Sequence, residues 1–255
     1  MTTFVLVHGG WHGGWCWRRV VALLESAGHE VHAPTLTGLG DRAHLARPDT
    51  GLAVHIADVV AVLELDDLRD VVLVGHSSGG AVVTGVAQRR PDRLRELVYL
   101  DAFVPAPGRS VFDLLPAARR DHFLGLVDEA GRIVLDLDAA MDGWSLPDAA
   151  DREWVRPRLR PFPVGALRDP LPPDPLPDLP RRYIHCTVKP GGDSFAGFAA
   201  AADSDPAWRL DRLDTGHDAM ITAPGALATL LTGVVSAGCQ QSHLADTRPP
   251  LPSDP

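Results

Sequence analysis

The chain has 255 residues, of which 45% are hydrophobic, so it can bury one sizeable core or a core with a small appended lid. Its formal net charge of -9 works against binding to the phosphate backbone of nucleic acids, which requires clustered Lys and Arg. We therefore expect no nucleic-acid partner, and the sequence leaves the oligomeric state open.

The cysteines and the N-terminal segment indicate the compartment. Cys16, Cys186 and Cys239 have neither the number nor the spacing of a disulfide framework or a zinc site. The apolar run that begins at Phe4 has no basic residues before it, and no apolar stretch reaches the roughly 18 residues of a membrane span. These features predict a cytoplasmic protein without a secretion signal or a membrane segment.

Short apolar runs rich in β-branched residues recur along the chain, and small or Gly-rich turns and helical patterning follow them. Such runs are typical of strands buried on both faces, and they predict strands at residues 4–7, 30–33, 71–74, 97–100, 183–186 and 208–213. Helices are predicted between them, at residues 17–27, 52–65, 79–89 and 224–235. This alternation indicates an α/β fold with a mainly parallel sheet and helices on both faces.

The alternation breaks down in the middle of the chain, where helix-like pieces carry Trp144 and Trp154 before a Pro-rich stretch at residues 170–180. We interpret this region as a cap inserted into the core. The far C-terminus has no periodicity and is predicted to be a solvated, Pro-rich tail. The chain then divides into a core of residues 1–103 and 181–238, a cap of residues 104–180 and a tail of residues 239–255.

Residues 75–80 read GHSSGG and lie directly between a predicted strand and a predicted helix. A nucleophilic serine on such a turn needs a sharp, strained backbone, so the residues two positions before and after it must lack side chains that would clash. Gly75 and Gly79 meet this need around Ser77. A Gly-rich turn that only packs a helix on a strand is the structural alternative, but the context favours a nucleophile elbow with Ser77 as the nucleophile.

A serine hydroxyl is barely ionised at neutral pH, so it needs a base within hydrogen-bond reach. In this architecture the base lies on a loop after the last strand, and His217 is at that place. The other late or strand-borne histidines are interpreted as structural, namely His29, His32, His185 and His243 in the tail. We predict that His217 is the general base.

The reaction also creates an oxyanion, which preorganised backbone N–H groups must receive. We expect one N–H from Ser78, which follows the nucleophile, and the other from Gly10 in the Gly-rich loop after the first strand. His8 and His12 are four residues apart in that loop, but the glycines between them break any helix that would align the two imidazoles on a metal. No metal site is therefore predicted.

Three stretches resemble the α/β-hydrolase subfamily that includes plant methylesterases, hydroxynitrile lyases and small bacterial esterases. They are FVLVHGGWHGGW at residues 4–15, APTLTGLG at residues 33–40 and GHSSGG at residues 75–80. The resemblance covers residues 4–101 well and residues 183–235 more loosely. It implies the α/β-hydrolase fold with an inserted cap.

The resemblance leaves two candidates for the acid of a catalytic triad. In that subfamily the acid usually follows the strand before the last, here residues 183–186, but the first carboxylate after this strand is Asp193, several residues late. Other α/β-hydrolases, notably lipases, place the acid directly after the strand that follows the elbow helix, where this chain has Asp101. Asp101 is the first candidate and Asp193 the second. The structural alternatives are a turn cap for Asp101 and a helix N-cap for Asp193.

These residues predict a cofactor-free serine esterase that cleaves a small to medium, fairly apolar carboxylic ester, thioester or lactone through an acyl-serine intermediate. A covered substrate pocket is expected to be lined by the aromatic residues Trp11, Trp15, Phe103, Trp144 and Trp154, each of which has packing in the core as its alternative.

Two other functions fit the same fold. One is a cofactor-free lyase or cyclase, but hydroxynitrile lyases carry a lysine directly after the catalytic histidine, whereas this chain has Asp218 there. The other is a non-catalytic ligand-binding protein, as some plant hormone receptors use this fold. An intact triad argues against the second alternative.

Overall fold

A computed structural model of the chain describes residues 1–233, and eight strands lie in this part. They are β1 (Thr3–Val7), β2 (Glu30–His32), β3 (Val71–His76), β4 (Leu94–Leu100), β5 (Arg132–Ile133), β6 (Phe162–Pro163), β7 (Arg181–Cys186) and β8 (Trp208–Leu213). Six of them form one parallel sheet in the order β2-β1-β3-β4-β7-β8. The short strands β5 and β6 pair antiparallel in a separate sheet.

Helices connect and cover the strands of the described residues. The α-helices are α1 (Arg18–Ser26), α2 (Leu52–Leu65), α3 (Gly79–Arg89), α4 (Ala117–Gly125), α5 (Leu137–Gly143), α6 (Ala149–Val155), α7 (Gly165–Arg168), α8 (Ala196–Ser204), α9 (Ala219–Thr222) and α10 (Pro224–Thr232). Short 3₁₀ helices occur at Gly14–Trp17, Gly40–Leu45, Pro91–Arg93, Phe112–Leu114 and Arg156–Arg158.

The central strands are buried along their length. Every residue of β3 is buried, and because successive side chains of a strand point to opposite faces, both faces of the sheet must be covered. Helix α1 packs against α10, and α2 packs against α3. The edge strands β2 and β8 are only partly buried. The predicted α/β fold with a parallel sheet and helices on both faces is confirmed.

Most element boundaries lie close to the predicted ones. The strand predicted from residue 97 begins at Leu94, because Arg95 and Glu96 interrupt the apolar pattern without ending the strand. Trp17 belongs to a 3₁₀ turn, so the first helix begins at Arg18. Helix α10 ends at Thr232 and is capped by Gly233, which has a left-handed φ of 69°. Val235, Cys239 and the predicted tail at residues 239–255 lie outside the described residues.

The carboxyl ends of parallel strands meet at one edge of the sheet, where α/β proteins place their ligands. The loops that follow β1, β3, β4, β7 and β8 therefore lie together. The chain leaves the sheet after β4 and enters it again with β7. The intervening residues 104–180 form helices α4 to α7 and the β5–β6 pair. Within residues 1–233, no helix has the length and apolar character needed to cross a bilayer.

Candidate active site

Ser77 lies at the junction of β3 and α3, on a turn with a strained backbone. Its φ is 54°, a left-handed value that is unusual for a residue with a side chain. A Cβ atom at Gly75 would be 2.7 Å from the carbonyl oxygen of Gly79, and one at Gly79 would be 2.8 Å from that of His8. The two glycines of the motif thus let the turn close tightly around Ser77.

His217, on the loop after β8, is held by Asp101 at the end of β4. The distance from Nδ1 of His217 to Oδ2 of Asp101 is 2.5 Å. Burial opposes ionisation of Asp101, but the hydrogen bond from His217 and the Lys189 ammonium outweigh it and lower the pKa of the carboxyl. An ionised carboxylate only accepts hydrogen bonds, so Nδ1 must donate, and the neutral imidazole keeps its lone pair on Nε2. This is the tautomer that a general base requires.

Asp193 makes different contacts. One carboxylate oxygen lies 2.7 Å from Nε2 of His185, and the other accepts a hydrogen bond of 2.8 Å from the backbone N–H of Phe195. Asp193 thus closes the turn that leads into α8. Phe195, and not Asp193, is the N-cap residue of this helix, which begins at Ala196. The contacts favour Asp101 over Asp193 as the partner of His217.

The loop after β1 passes directly over Ser77. A Cβ atom at Gly9 would lie 2.7 Å from Cβ of Ser77, so only glycine allows this approach. In the described loops and turns, the backbone N–H groups of Gly10 and Ser78 donate no hydrogen bond to a backbone carbonyl. Trp11 follows with a left-handed φ of 63°. Gly10 thus directly follows the residue that approaches Ser77, and Ser78 directly follows Ser77; their role as oxyanion donors stays a prediction.

A buried ionic group behind the site was missed by the sequence analysis. Asp218 is fully buried, and its Oδ2 lies 3.3 Å from Nε2 of His12. Burial opposes ionisation, but the protonated His12 beside it lowers the pKa of Asp218 to about 2. Burial likewise disfavours protonation of His12, yet Asp218 raises its pKa. His12 and Asp218 therefore form an ion pair in the interior.

This pair connects the loops that carry the site. Nδ1 of His12 is 2.8 Å from the carbonyl oxygen of Gly10, and Nε2 of His76, next to Ser77, is 3.0 Å from the carbonyl oxygen of His217. Burial and the nearby His217 hold the pKa of His76 well below its usual range, so His76 is neutral. The only sequence signal was that His76 and Asp218 directly adjoin predicted catalytic residues.

Ligand atoms of His76, His217 and Asp218 lie within 4.8 Å of one another, a spacing that a metal ion could bridge. Each has a polar neighbour within the protein: Nε2 of His76 lies next to the carbonyl oxygen of His217, Nδ1 of His217 next to Asp101, and Asp218 at ion-pair distance from His12. Nδ1 of His76 and both carboxylate oxygens of Asp218 have no hydrogen-bond partner among the described residues.

His8 has a separate structural role. Nε2 of His8 accepts a hydrogen bond of 3.0 Å from the backbone N–H of Leu36, and Nδ1 lies 2.8 Å from the carbonyl oxygen of Gly9. Burial lowers the pKa of His8 to about 3, so the imidazole is neutral. His8 and His12 thus contact different groups and do not converge on a common point.

Ser77 and His217 open into the same cavity, which has a volume of about 590 Å³. Of the aromatic residues predicted to bind substrate, Trp11, Phe103 and Trp144 line it. Phe195, which was not predicted, also lines it and stacks on the imidazole of His217 with ring centroids 5.0 Å apart. The cavity is therefore aromatic close to the nucleophile.

Trp154 and Trp15 are not among the residues that line this cavity, contrary to the prediction. Their rings pack edge to face with centroids 5.2 Å apart. The guanidinium groups of Arg19 and Arg158 lie 5.3 and 5.1 Å from the Trp154 ring. The Trp154 ring on helix α6 thus packs against Trp15 and the guanidinium groups of Arg19 and Arg158. Cation–π contacts and burial stabilise the ring there.

Comparison with known proteins gives the same fold. The alpha/beta hydrolase family matches residues 4–230. A carbendazim hydrolyzing esterase from Nocardioides sp. (strain SG-4G) is 38% identical over 244 residues, which cover 92% of this chain and 100% of the relative.

Solved structures agree. An extracellular alpha/beta-hydrolase from a Paenibacillus species superposes with a TM-score of 0.81 and 27% identity, covering 91% of this chain and 98% of the other. A methylesterase from Arabidopsis superposes with a TM-score of 0.75 and 25% identity, covering 92% of this chain and 99% of the other. The similarity thus extends through residues 104–180 and is not limited to the sheet.

Proposed function

The chain belongs to the α/β-hydrolase family, and from that premise we propose that it is a serine esterase for a small to medium, fairly apolar carboxylic ester. The observation that carries the proposal is the geometry of His217, which is bound to Asp101 through Nδ1 and lines one cavity with Ser77. A relative that this chain matches along the relative's whole length is named as an esterase, and this supports the same reaction.

In the proposed mechanism, Ser77 Oγ attacks the ester carbonyl while Nε2 of His217 takes its proton. Asp101 stabilises the imidazolium that forms, and the N–H groups of Gly10 and Ser78 receive the oxyanion. The imidazolium then gives its proton to the leaving alcohol. A water molecule, activated by His217 in turn, releases the acid from the acyl-serine. Apart from the ester and water, each step uses only groups of the chain itself.

The cavity supports the proposed substrate class. Indole and phenyl rings next to the nucleophile favour apolar acyl or alcohol groups, and about 590 Å³ suits a small or medium ester. We further propose that residues 104–180 act as a lid that excludes water from the reaction, because Trp144 and Phe123 of this segment line the cavity. A reducing cytoplasm is proposed as the compartment, since Cys16 and Cys186 are buried free thiols.

Labelling with a fluorophosphonate, followed by peptide mass spectrometry, tests the nucleophile. The label should be on Ser77, and Ser77→Ala should lower turnover of a cleaved ester by roughly a thousandfold or more. Ser194, another serine that lines the cavity, provides the matched control, because Ser194→Ala should leave both readouts in place.

The substrate panel should contain p-nitrophenyl esters of graded acyl length, aromatic methyl esters and carbendazim. Labelling elsewhere, or near-parental turnover by Ser77→Ala with a native circular dichroism spectrum, would contradict the proposal.

A further inference from the structure

Lys189 occupies an unusual position for a charged side chain. It lies on the loop after β7, and its Nζ donates to Oδ2 of Asp101, the oxygen that also accepts from Nδ1 of His217. Only 9% of the Lys189 side chain is exposed, and Asp101 is fully buried. The partner of the proposed catalytic base is thus shared between an imidazole and an ammonium.

The amino-acid composition makes this lysine more informative. The chain has 24 basic residues, and Lys189 is the single lysine among them, all the others being arginine. An ammonium is a compact point charge, whereas guanidinium is a broad planar fork. The one place where the chain uses a lysine is therefore a crowded position against a buried carboxylate that already has another donor.

Lys189 is also linked to His217 through the ring of Phe195. Its Nζ lies 5.1 Å from the centre of the Phe195 ring, and that ring stacks on the imidazole of His217 at 5.0 Å. Lys189 itself lines the cavity. The ammonium, the carboxylate and the imidazole therefore form one compact group at the wall of the site.

We propose that Lys189 is a positioning residue that sets the pH range of the reaction by sharing the charge of Asp101 with His217. The proposal rests on the proposed esterase function. An unshared carboxylate would stabilise the imidazolium strongly and keep the base protonated to higher pH. With Lys189 present, the carboxylate and ammonium together carry no net charge, so the imidazolium receives less stabilisation from the Asp101 side.

Other charged groups near His217 come from different elements and do not depend on Lys189. His76, at the end of β3, is neutral, with its ring centroid 4.5 Å from that of His217. Asp218 is adjacent in sequence and is paired with His12 from the loop after β1. The charge of Lys189 also favours the ionised form of Asp193, whose carboxylate is bonded to His185. A substitution at Lys189 therefore changes the charge beside Asp101 and Asp193 and leaves the groups on the His76 side of the imidazole unchanged.

The test compares Lys189→Met with the parent protein. Methionine keeps the unbranched apolar stem but removes the charge. The acidic limb of the pH profile of kcat/KM for a neutral p-nitrophenyl ester should move upward by about one pH unit, because an opposite charge shifts a titration by one to three units. Lys189→Arg keeps the charge, so its limb should remain at the parental pH even where the larger group lowers kcat.

Arg119→Met is the matched control. Arg119 also lines the cavity, but its guanidinium is exposed and lies over the Phe123 ring, 5.5 Å from its centre. Because solvent screens an exposed charge, the limb should not move in this variant. A Lys189→Met variant that loses activity equally at every pH, with an unmoved limb, would show that Lys189 only supports the structure and would overturn the proposal.

The rate of fluorophosphonate labelling, measured over the same pH range, separates this inference from the proposed function. A parent protein that is never labelled at Ser77 would contradict the function itself. Labelling of parent and Lys189→Met with the same pH midpoint would contradict the role of Lys189 and leave the function standing. A midpoint that moves upward in Lys189→Met but not in Lys189→Arg is the expected result.

Discussion

The carboxyl edge of the sheet and the segment of residues 104–180 contribute to the cavity in different ways. At the sheet edge, Ser77 and Asp101 come directly after buried strands and have left-handed backbones, with φ of 54° and 44°. The segment instead contributes helices and short strands whose side chains form a wall. Side chains that must come within hydrogen-bond distance of one another lie on turns whose position is fixed by the sheet. The side chains of residues 104–180 only need to enclose the cavity.

The two regions meet at the backbone of the base loop. The N–H of His217 donates a hydrogen bond of 2.9 Å to the carbonyl oxygen of Trp144. A Cβ atom at Gly216 would be 2.7 Å from that same oxygen, so the contact is close. The segment therefore supports the loop of His217, the proposed general base, through main-chain atoms, and its side chains stay free to line the cavity. Substitutions in the two regions should accordingly affect different measurements.

The largest effect is expected for Asp101, the proposed acid at the sheet edge. Asp101→Asn should lower kcat/KM of a cleaved ester by roughly a thousandfold or more at neutral pH, since the amide disfavours the productive tautomer and leaves the imidazolium unpaired. Asp193→Asn is the control, because its oxygens contact His185 and the Phe195 backbone. Steady-state kinetics decides between them, and small, equal losses would mean that neither carboxylate orients His217.

A smaller but distinct effect is expected for the ion pair behind the site. Asp218→Asn leaves a buried His12 without its counter-charge, so the free energy of unfolding should fall by about 3 kcal/mol or more. Urea unfolding measures the loss. Asp214→Asn, an exposed carboxylate in the same loop, should change the unfolding free energy by about 0.5 kcal/mol or less.

The pH dependence identifies the origin of that loss. The lowered pKa of Asp218 stabilises the fold above the ordinary value of 3.8, and this contribution disappears as the pH falls toward about 2. The raised pKa of His12 stabilises the fold fully below the ordinary value of 6.5, and that contribution is lost as the pH rises through the raised value. The difference between parent and Asp218→Asn should therefore be largest from about pH 4 to 6.5. A pH-independent difference would point to lost packing.

The smallest effect on catalysis is expected for substitutions of residues that line the cavity within residues 104–180. Trp144→Ala removes a ring that lines the cavity and should alter the ratio of kcat/KM between long and short acyl esters by roughly tenfold, with Ser77 still labelled. Trp154→Ala removes a ring that packs on Trp15, so it should lower the melting temperature and leave that ratio unaltered. Equal ratios for both variants and the parent would remove Trp144 from substrate selection.

The sequence was sufficient for the elements and motifs that are local. Apolar β-branched runs predicted the strands, and the glycines two positions before and after Ser77 indicated the elbow, because each signal depends on neighbours along the chain. The sequence could not separate Trp144 from Trp154. Both are tryptophans on helix-like segments, and which one faces the cavity depends on how those segments pack, which no local pattern records.

The sequence by itself determined the fold class, the turn that presents Ser77 and the place of His217 after the last strand. The tertiary structure alone decided which carboxylate His217 meets, since Asp101 is 116 residues away from it. It also decided that Lys189, 88 residues from Asp101, shares that carboxylate, and that Asp218 is paired with His12. Charges separated so far in sequence interact only when parallel strands bring their following loops to one edge, and burial there makes each contact strong.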